Sequence, residues 1–310
     1  MLDGLILKAS ALMVAGTQAA NAVATASGTG LPWWAWPTLL FITCFVLGIV
    51  AALSGVGGGV LFTPIVGSLF PFHMDFVRGA GLVVALSGSL AAGPGLLKAN
   101  LANLRLALPV ALIASIFSVI GAMIGLALPT NVLNIALGTT ITLVALLFIF
   151  SKNSDFPKVG KADAIARTLN IKGSYYEPSA GEAKDWTVWR SPQGFLLFIF
   201  IGLIAGMFGL GAGWANVPVL NLLMGAPLKI AVGSSKFLLA ITDTSAAWVY
   251  LNDGAVLTII TVPSVLGIMF GSLVGVRLLS IAKPKIIRTM VIIVLLISGI
   301  RSLIKGIWGV

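Results

Sequence analysis

The stretch Gly48-Ile-Val-Ala-Ala-Leu-Ser-Gly55-Val-Gly57-Gly58-Gly59 returns later in the chain as Gly202-Leu-Ile-Ala-Gly-Met-Phe-Gly209-Leu-Gly211-Ala-Gly213. Both copies lie inside apolar runs. The same offset, the 154 positions from Gly48 to Gly202, carries Pro64 onto Pro218, Gly79 onto Gly233, Pro109 onto Pro263, Ser118 onto Ser272 and Gly121 onto Gly275. Chance matches of glycine are common in a chain with 36 of them. Two prolines and the whole G-x(6)-G-x-G-x-G frame agreeing without a gap are not. The chain is an internal duplication, the common build of secondary transporters.

The runs around these motifs set the solvent. Of 310 residues, 58% are hydrophobic and 9% charged, with a mean hydropathy of +1.08. A soluble domain carries roughly 25% charged residues, so this chain cannot cover a water-facing surface. A soluble enzyme and a disordered chain are excluded, and a polytopic helical membrane protein remains. The net charge of +10 does not point to nucleic acid, because the positives sit in short segments between apolar runs, as in cytoplasmic loops facing anionic lipid. Cys44 and His73 are the only residues of their kinds, so neither a disulfide framework nor zinc or haem ligation is expected, and no cofactor is expected at all.

Residues 1–36 read as an interfacial N-terminal segment. Leu2, Leu5, Ile6, Ala9, Leu12 and Met13 share a helical face opposite Asp3 and Lys8. A cleaved signal peptide ending near Ala20–Ala26 is the competing reading. Trp33, Trp34 and Trp36 suit headgroup level. Apolar runs follow at 37–54, 60–70, 77–97, 106–127 and 131–150, forming repeat 1 (37–150), and at 193–208, 214–224, 230–250, 255–279 and 287–308, forming repeat 2 (193–310). Between them lies a polar linker, 151–192, with both glutamates. It is expected to be a cytoplasmic cap or a disordered connector.

The run 60–70 is about 16 Å long as a helix, too short for a hydrocarbon core of about 30 Å. Pro64 and Pro218 would suit a helix first turn. Residues 37–70 and 193–224 therefore read as re-entrant or broken helix hairpins, each followed by three transmembrane helices. Three crossings per half is an odd number, so the expected fold is an all-α membrane protein of two inverted repeats. Loop charges agree. Lys98, Arg105, the linker, Lys229, Lys283, Lys285 and Arg288 fall on one side, while Asp75, Arg78, the Pro129 turn and Asp253 fall on the other. The positive-inside rule puts the linker in the cytoplasm; the C-terminal Arg301 and Lys305 point the other way.

Glycine breaks at membrane depth survive only against protein or a water-filled cavity. Their free amides, together with the start of the next helix, would attract an anion. Ser54, Gly55, Gly57, Gly58 and Gly59 in one half, and Gly211 and Gly213 in the other, are the candidate midplane anion site. The competing reading is that these glycines only permit close helix packing.

Intramembrane ionisable groups are costly and usually functional. Lys236 and Asp243 lie two helical turns apart on one face, amid Ser234, Ser235, Thr242, Thr244 and Ser245, while the first half carries Leu82 and Ser89 at the equivalent positions. Lys236, Ser87, Ser234, Ser235 and Thr242 are expected to hold an anion, with Asn216 and Trp214 lining the cavity. Asp243 is the ion-coupling candidate, for a proton or sodium. A buried structural Lys–Asp pair is the alternative. Arg78 reads as interfacial or as an anion contact, His73 and Asp75 as loop residues, and Cys44 as core.

The doubled motif Gly55-x-Gly57-Gly58-Gly59-x(4)-Pro64 and Gly209-x-Gly211-x-Gly213-x(4)-Pro218, with Gly233-Ser234-Ser235-Lys236 downstream and the polar linker, resembles the TauE/SafE sulfite exporter family across about residues 37–308. The resemblance implies a multi-pass transporter of the bacterial inner membrane. Its substrates would be small sulfur oxyanions such as sulfite, organosulfonates like sulfoacetate, or thiosulfate, moved by alternating access. Ala212 departs from the triple-glycine form. Passive anion conduction and carboxylate transport are the other readings. An intramembrane enzyme fits less well, because the single His and single Cys have no evident catalytic partners.

Overall fold

A computed structural model describes residues 34–278 except 55–56, 71, 99, 151–156, 158, 161 and 178–181, with scattered positions between 292 and 308. The interfacial helix expected near the N-terminus, Gly55, and Lys283, Lys285, Arg288, Arg301 and Lys305 lie outside the described residues.

Helix α1 (Ala35–Ser54) ends at the first glycine motif, and α2 (Gly58–Leu69) starts directly after it. Then come α3 (Met74–Lys98), α4 (Leu104–Ala127) and α5 (Thr130–Phe150). The second half repeats the order. Helix α7 (Ser191–Phe208) ends at the second motif, and α8 (Gly213–Pro218) restarts and runs on into a π turn, Val219–Leu223. Helices α9 (Leu228–Asn252) and α10 (Thr258–Leu278) follow. The bounds of α3 and α9 differ by the sequence offset at both ends. Helices α1, α3, α4, α7 and α10 are long and apolar enough to cross a membrane; α9 is as long as α3 but carries Lys236 and Asp243.

Each glycine-broken segment folds back so that its ends meet. Trp36 at the start of α1 packs on Phe70 and Phe72 beyond α2, with ring centroids 5.7 and 6.4 Å apart. In the second half the backbone amide of Trp189 donates to the carbonyl of Met224 at 3.0 Å. These are helical hairpins, as the short run after each glycine motif requires. The first arms are not half-length, however. Helix α1 has 20 residues, about 30 Å of rise, and only the second arms, α2 with 12 residues and α8 with 6 before its π turn of 5, are as short as expected.

The prolines also sit elsewhere than expected. Pro64 and Pro218 lie inside α2 and α8 rather than in the first turn, because each helix begins at its glycine. A proline inside a helix removes one i→i−4 bond, and after Pro218 the chain relaxes into the π turn.

The helices pair across the halves. Helix α1 lies along α10, and its mate α7 lies along α4; α3 packs on α10 as α9 packs on α4, and α3 touches α9. Glycines set the directions. Gly267 faces Phe41, Gly271 faces Phe45 and Gly48, and Gly275 faces Ile49 and Ala52, so α1 and α10 run the same way. Gly202 faces Ala114, Gly206 faces Ser118 and Gly125 faces Met207, so α7 and α4 do too.

The linker is not all helix, and much of it is ordered. Asp163 caps the short helix α6 (Ala164–Thr168), and β1 (Lys172–Glu177) pairs antiparallel with β2 (Glu182–Thr187). This small sheet corrects the all-α expectation. It arises because the residues of 172–187 have no apolar face to give a membrane helix. Asp163 accepts from Ala166 N at 2.7 Å, from Ser191 N at 2.6 Å and from Ser191 Oγ at 3.1 Å, so one carboxylate caps α6 and ties down the start of α7. Asp163→Ala should cost about 1–2 kcal/mol, read as an earlier thermal transition of the purified protein in detergent.

Candidate functional site between the glycine breaks

A helix that stops inside the protein leaves up to four carbonyls without partners. In hydrocarbon each costs several kcal/mol, so the ends of α1 and α7 need donors. The structure supplies them crosswise. Lys236 on α9, in the second half, donates from Nζ to the carbonyl of Ala51 in α1 at 2.9 Å. From the first half, Arg78 on α3 donates from Nη1 to the carbonyl of Met207 in α7 at 3.0 Å, and also to Gly125 at the end of α4. Thr63 Oγ1 donates to the carbonyl of Gly209 at 2.9 Å. From the same half, Tyr250 Oη on α9 adds a bond to the carbonyls of Gly206 and Met207 at 3.1 and 3.2 Å. A cation at a partly buried helix C-terminus contributes up to about 2 kcal/mol. Each half thus holds the open helix end of the other.

The two breaks meet. Gly57, at φ +88°, caps α2, and Gly209 and Gly211, at +63° and +69°, turn the chain between α7 and α8. A Cβ on Gly57 would lie 3.6 Å from Cα of Gly213, and one on Gly59 would lie 2.6 Å from the carbonyl oxygen of Leu210. The packing reading of these glycines is therefore correct as far as it goes, since side chains would force the breaks apart. Leu239, mid-way along α9, sits against both Gly57 and Gly211. The Ser54 side chain and all of Gly55 lie outside the described residues.

Asp243 is 1% exposed and rests on the second break, where a Cβ on Gly211 would lie 2.8 Å from its Oδ2. It accepts from the backbone of Ala212, and Thr242 Oγ1 lies 3.5 Å from Oδ1, while Oδ2 has no partner. Among the described residues no ion pair within 4 Å joins it to Lys236; the pairs are His73–Asp75 and Arg78–Asp75. Lys236 serves the first break and Asp243 the second, from one helix. Asn216, in the turn that follows the second break, is fully buried, and neither atom of its amide has a partner. Buried polar atoms are nearly always satisfied by protein or ordered water, so Asn216 and Asp243 leave three unmet hydrogen-bonding positions near one break.

The remaining expected residues fall into two groups. Gly57, Gly58, Gly59, Gly211 and Gly213 are at the breaks. Ser87, Ser234 and Thr242 each have a hydrogen bond within the protein. Ser87 and Thr242 bond back to their own helices, through Val83 O at 2.7 Å and Leu238 O at 2.9 Å, and Ser234 Oγ accepts from Asn103 N at 3.0 Å. Hydroxyls in a helix find the i−4 carbonyl readily, which is why the O–H groups of Ser87 and Thr242 are engaged, while Ser234 accepts a bond and keeps its own O–H to donate. Ser235 is buried. Thr244 is exposed and Ser245 only half-buried, each bonded to its own helix. The polar face around Lys236 and Asp243 is thus narrower than its composition indicates. Of Trp214 only the backbone is described.

Arg78 is not exposed. It is fully buried, paired with Asp75 and 5.7 Å from the ring centre of Tyr250. Its role, with those of Thr63 and Tyr250, is absent from the expectations. One signal was available: their counterparts across the offset, Val232, Val217 and Leu96, are apolar, the same asymmetry that marks Lys236. Beyond the end of α9, desolvation and the charge of Asp75 push the Asp253 carboxyl above its ordinary value, with Arg78 opposing.

The description Sulfite exporter TauE/SafE matches residues 40–302. The chain belongs to the TauE/SafE family. Among its relatives within reach, the probable membrane transporter protein YunE of Bacillus subtilis is 25% identical over 279 residues, 87% of this chain and 98% of that protein. The probable membrane transporter protein ORF9 of a Sinorhizobium species is 27% identical over 85% of this chain and 91% of its own length. The probable membrane transporter protein MJ0441 of Methanocaldococcus jannaschii is 24% identical over 86% and 95%. No solved structure matches the chain. This TauE/SafE member is thus a multi-pass membrane protein whose relatives are named as transporters, not enzymes.

Proposed function

We propose that this protein moves small sulfur oxyanions (sulfite, organosulfonates such as sulfoacetate, or thiosulfate) across the bacterial inner membrane by alternating access, coupled to an ion at Asp243. The observation that carries the proposal is the meeting of two helix breaks beside a fully buried amide and a carboxylate oxygen without partners. The substrate class rests on the family description. The backbone at the breaks, Asn216 and the charge of Lys236 offer an anion fixed dipoles in exchange for part of its hydration shell.

The halves act as inverted repeats. Support comes from the helix directions: α4 returns from α3 through a short connection, α9 runs along α4, and α3 runs along α10. Duplicated helices so arranged can rock about a fixed midplane site. The basic ends Lys98, Arg105 and Lys229 gather at one end of the bundle with the linker, which supports a cytoplasmic linker.

Coupling follows from charge. An oxyanion and an ionised Asp243 in one low-dielectric site repel each other strongly, so the carboxyl takes up a proton as the anion enters and gives it up on the other side. In proteoliposomes, Asp243→Asn should abolish pH-gradient-driven accumulation while leaving counterflow of labelled substrate. Accumulation that survives the substitution unchanged rules out this coupling role. Flux that never saturates, with no counter-ion dependence, would instead mark a passive channel.

A further inference from the structure

Helices α3 and α9 end alike. After α3 the amide of Asn100 donates to the carbonyl of Leu97 at 3.0 Å, and that of Leu101 to Leu96 at 3.0 Å. After α9 the amide of Gly254 donates to Leu251 at 3.2 Å, and that of Ala255 to Tyr250 at 2.9 Å. The offset from Gly48 to Gly202 carries each of the first four residues onto its counterpart in the second set. Asn100 and Gly254, at φ +54° and +73°, are the left-handed residues that this kind of helix end uses. Each turn then sets a carbonyl against the other long helix. A Cβ on Gly233, near the start of α9, would collide with the carbonyl oxygen of Leu101, and a Cβ on Gly79, near the start of α3, with that of Ala255. Gly79 and Gly233 are mates across the offset too.

Helices α3 and α9 therefore lie antiparallel, and one contact, made twice, closes both ends of the pair. The ends stand about 30 Å apart along α3, the depth of a hydrocarbon core. Their chemistry differs. Lys98, Arg105 and Lys229 surround the Leu101–Gly233 end, whereas Asp75 and Asp253 belong to the Ala255–Gly79 end. Between the ends the same pair presses on the glycine breaks: a Cβ on Gly58 would lie 3.7 Å from Cγ1 of Val84 in α3, and Leu239 of α9 sits against Gly57 and Gly211.

We infer that the two contacts are the gates of the midplane site, opened one at a time. The inference rests on the alternating access proposed above and names where each side opens. Backbone contacts of the Cα–H···O kind are individually weak, so either end can part and close again without repacking a side chain. Because one helix pair carries both contacts, tilting α3 against α9 about the middle parts one end while the other stays shut. The basic gate has one extra tie, the bond from Asn103 N to Ser234 Oγ at 3.0 Å; the offset turns these residues into Leu257 and Ala80, which have no such bond to make. The side chain of Asn103 also caps α4 through Leu106 N at 3.0 Å, so the segment that shuts this gate also starts the helix running along α7.

The test is double electron–electron resonance on the full chain in lipid nanodiscs, in a Cys44→Ala background. Spin labels at Asn100→Cys and Lys229→Cys span the basic gate, and labels at His73→Cys and Asn252→Cys span the acidic one. Gly233→Ala should lose the short distance at the basic pair and keep it at the acidic pair, and Gly79→Ala should do the reverse. Ser234→Ala introduces no clash and removes one hydrogen bond, so it should shift the basic pair toward the long distance by about fivefold in population. Both pairs lengthening together in one variant overturns the inference. So does a basic pair that keeps the wild-type distances in Ser234→Ala. Counterflow of labelled sulfoacetate in proteoliposomes of the same variants separates the two readings. Saturable flux in a chain whose gates never move overturns the gates alone, while gates that alternate without sulfoacetate flux uphold them and overturn the substrate.

Discussion

Lys236→Met is expected to abolish transport and to destabilise the protein by about 3–5 kcal/mol, the usual cost of removing one member of a buried charged set. Two losses combine. The carbonyl of Ala51 loses its donor at 2.9 Å in a place that water does not readily reach, and Asp243, 1% exposed, loses the positive charge nearest to it on α9. The two can be separated. In the double variant Lys236→Met/Asp243→Asn no charge is stranded, so thermal stability in detergent should recover part of the way while flux stays at background. If the single variant unfolds at the wild-type temperature, Lys236 does not hold the first break. If the double variant transports normally, neither residue belongs to the mechanism.

Gly209→Ala should be the most damaging of the glycine substitutions. Gly209 sits at φ +63°, a region that costs an L-residue roughly 1–2 kcal/mol, and its new Cβ would lie 2.6 Å from Cα of Arg78, which is backbone and cannot step aside. Overpacking of that kind typically adds 1–3 kcal/mol, and it would push Arg78 off the carbonyl of Met207. Gly93→Ala provides the contrast. It lies within α3, where a Cβ would make ordinary contact at 3.6 Å with the ring of Phe237, and the gain of about 0.5–1 kcal/mol from replacing a mid-helix glycine is offset by the clash of the new Cβ with the ring of Pro94, so stability should change little. Thermal unfolding of both variants decides the matter. Equal effects would mean that the second break has room to spare.

Much of this could be read from the residues, for a physical reason. Glycines and prolines punctuate backbone locally, so the offset from Gly48 to Gly202 located both breaks, and the start and end of α9 follow from those of α3. Lys236 and Asp243 stood out because charge inside an apolar run has few innocent explanations. Arg78 and Thr63 stayed hidden because their partners, the carbonyls of Met207 and Gly209, belong to the opposite half, and Tyr250 because the carbonyl of Gly206 lies on another helix of its own half. No periodicity reveals which helix end will be left open beside which side chain. The hydroxyls failed in the other direction. Ser87 and Thr242 have the composition of anion ligands, yet a carbonyl four residues back is always the nearer acceptor. In the linker, Asp163 caps a helix of 5 residues, too short to show as a periodic pattern.

Access to the break from both sides of the membrane is the claim on which transport depends, and Asn216 stands at that break. Cys44, buried in α1, is the chain's single cysteine, so Cys44→Ala gives a background for labelling Asn216→Cys with an impermeant maleimide. Labelling from either face of the membrane, slowed by saturating sulfoacetate, is the predicted result. A thiol that reacts from one face alone, or from neither, contradicts it.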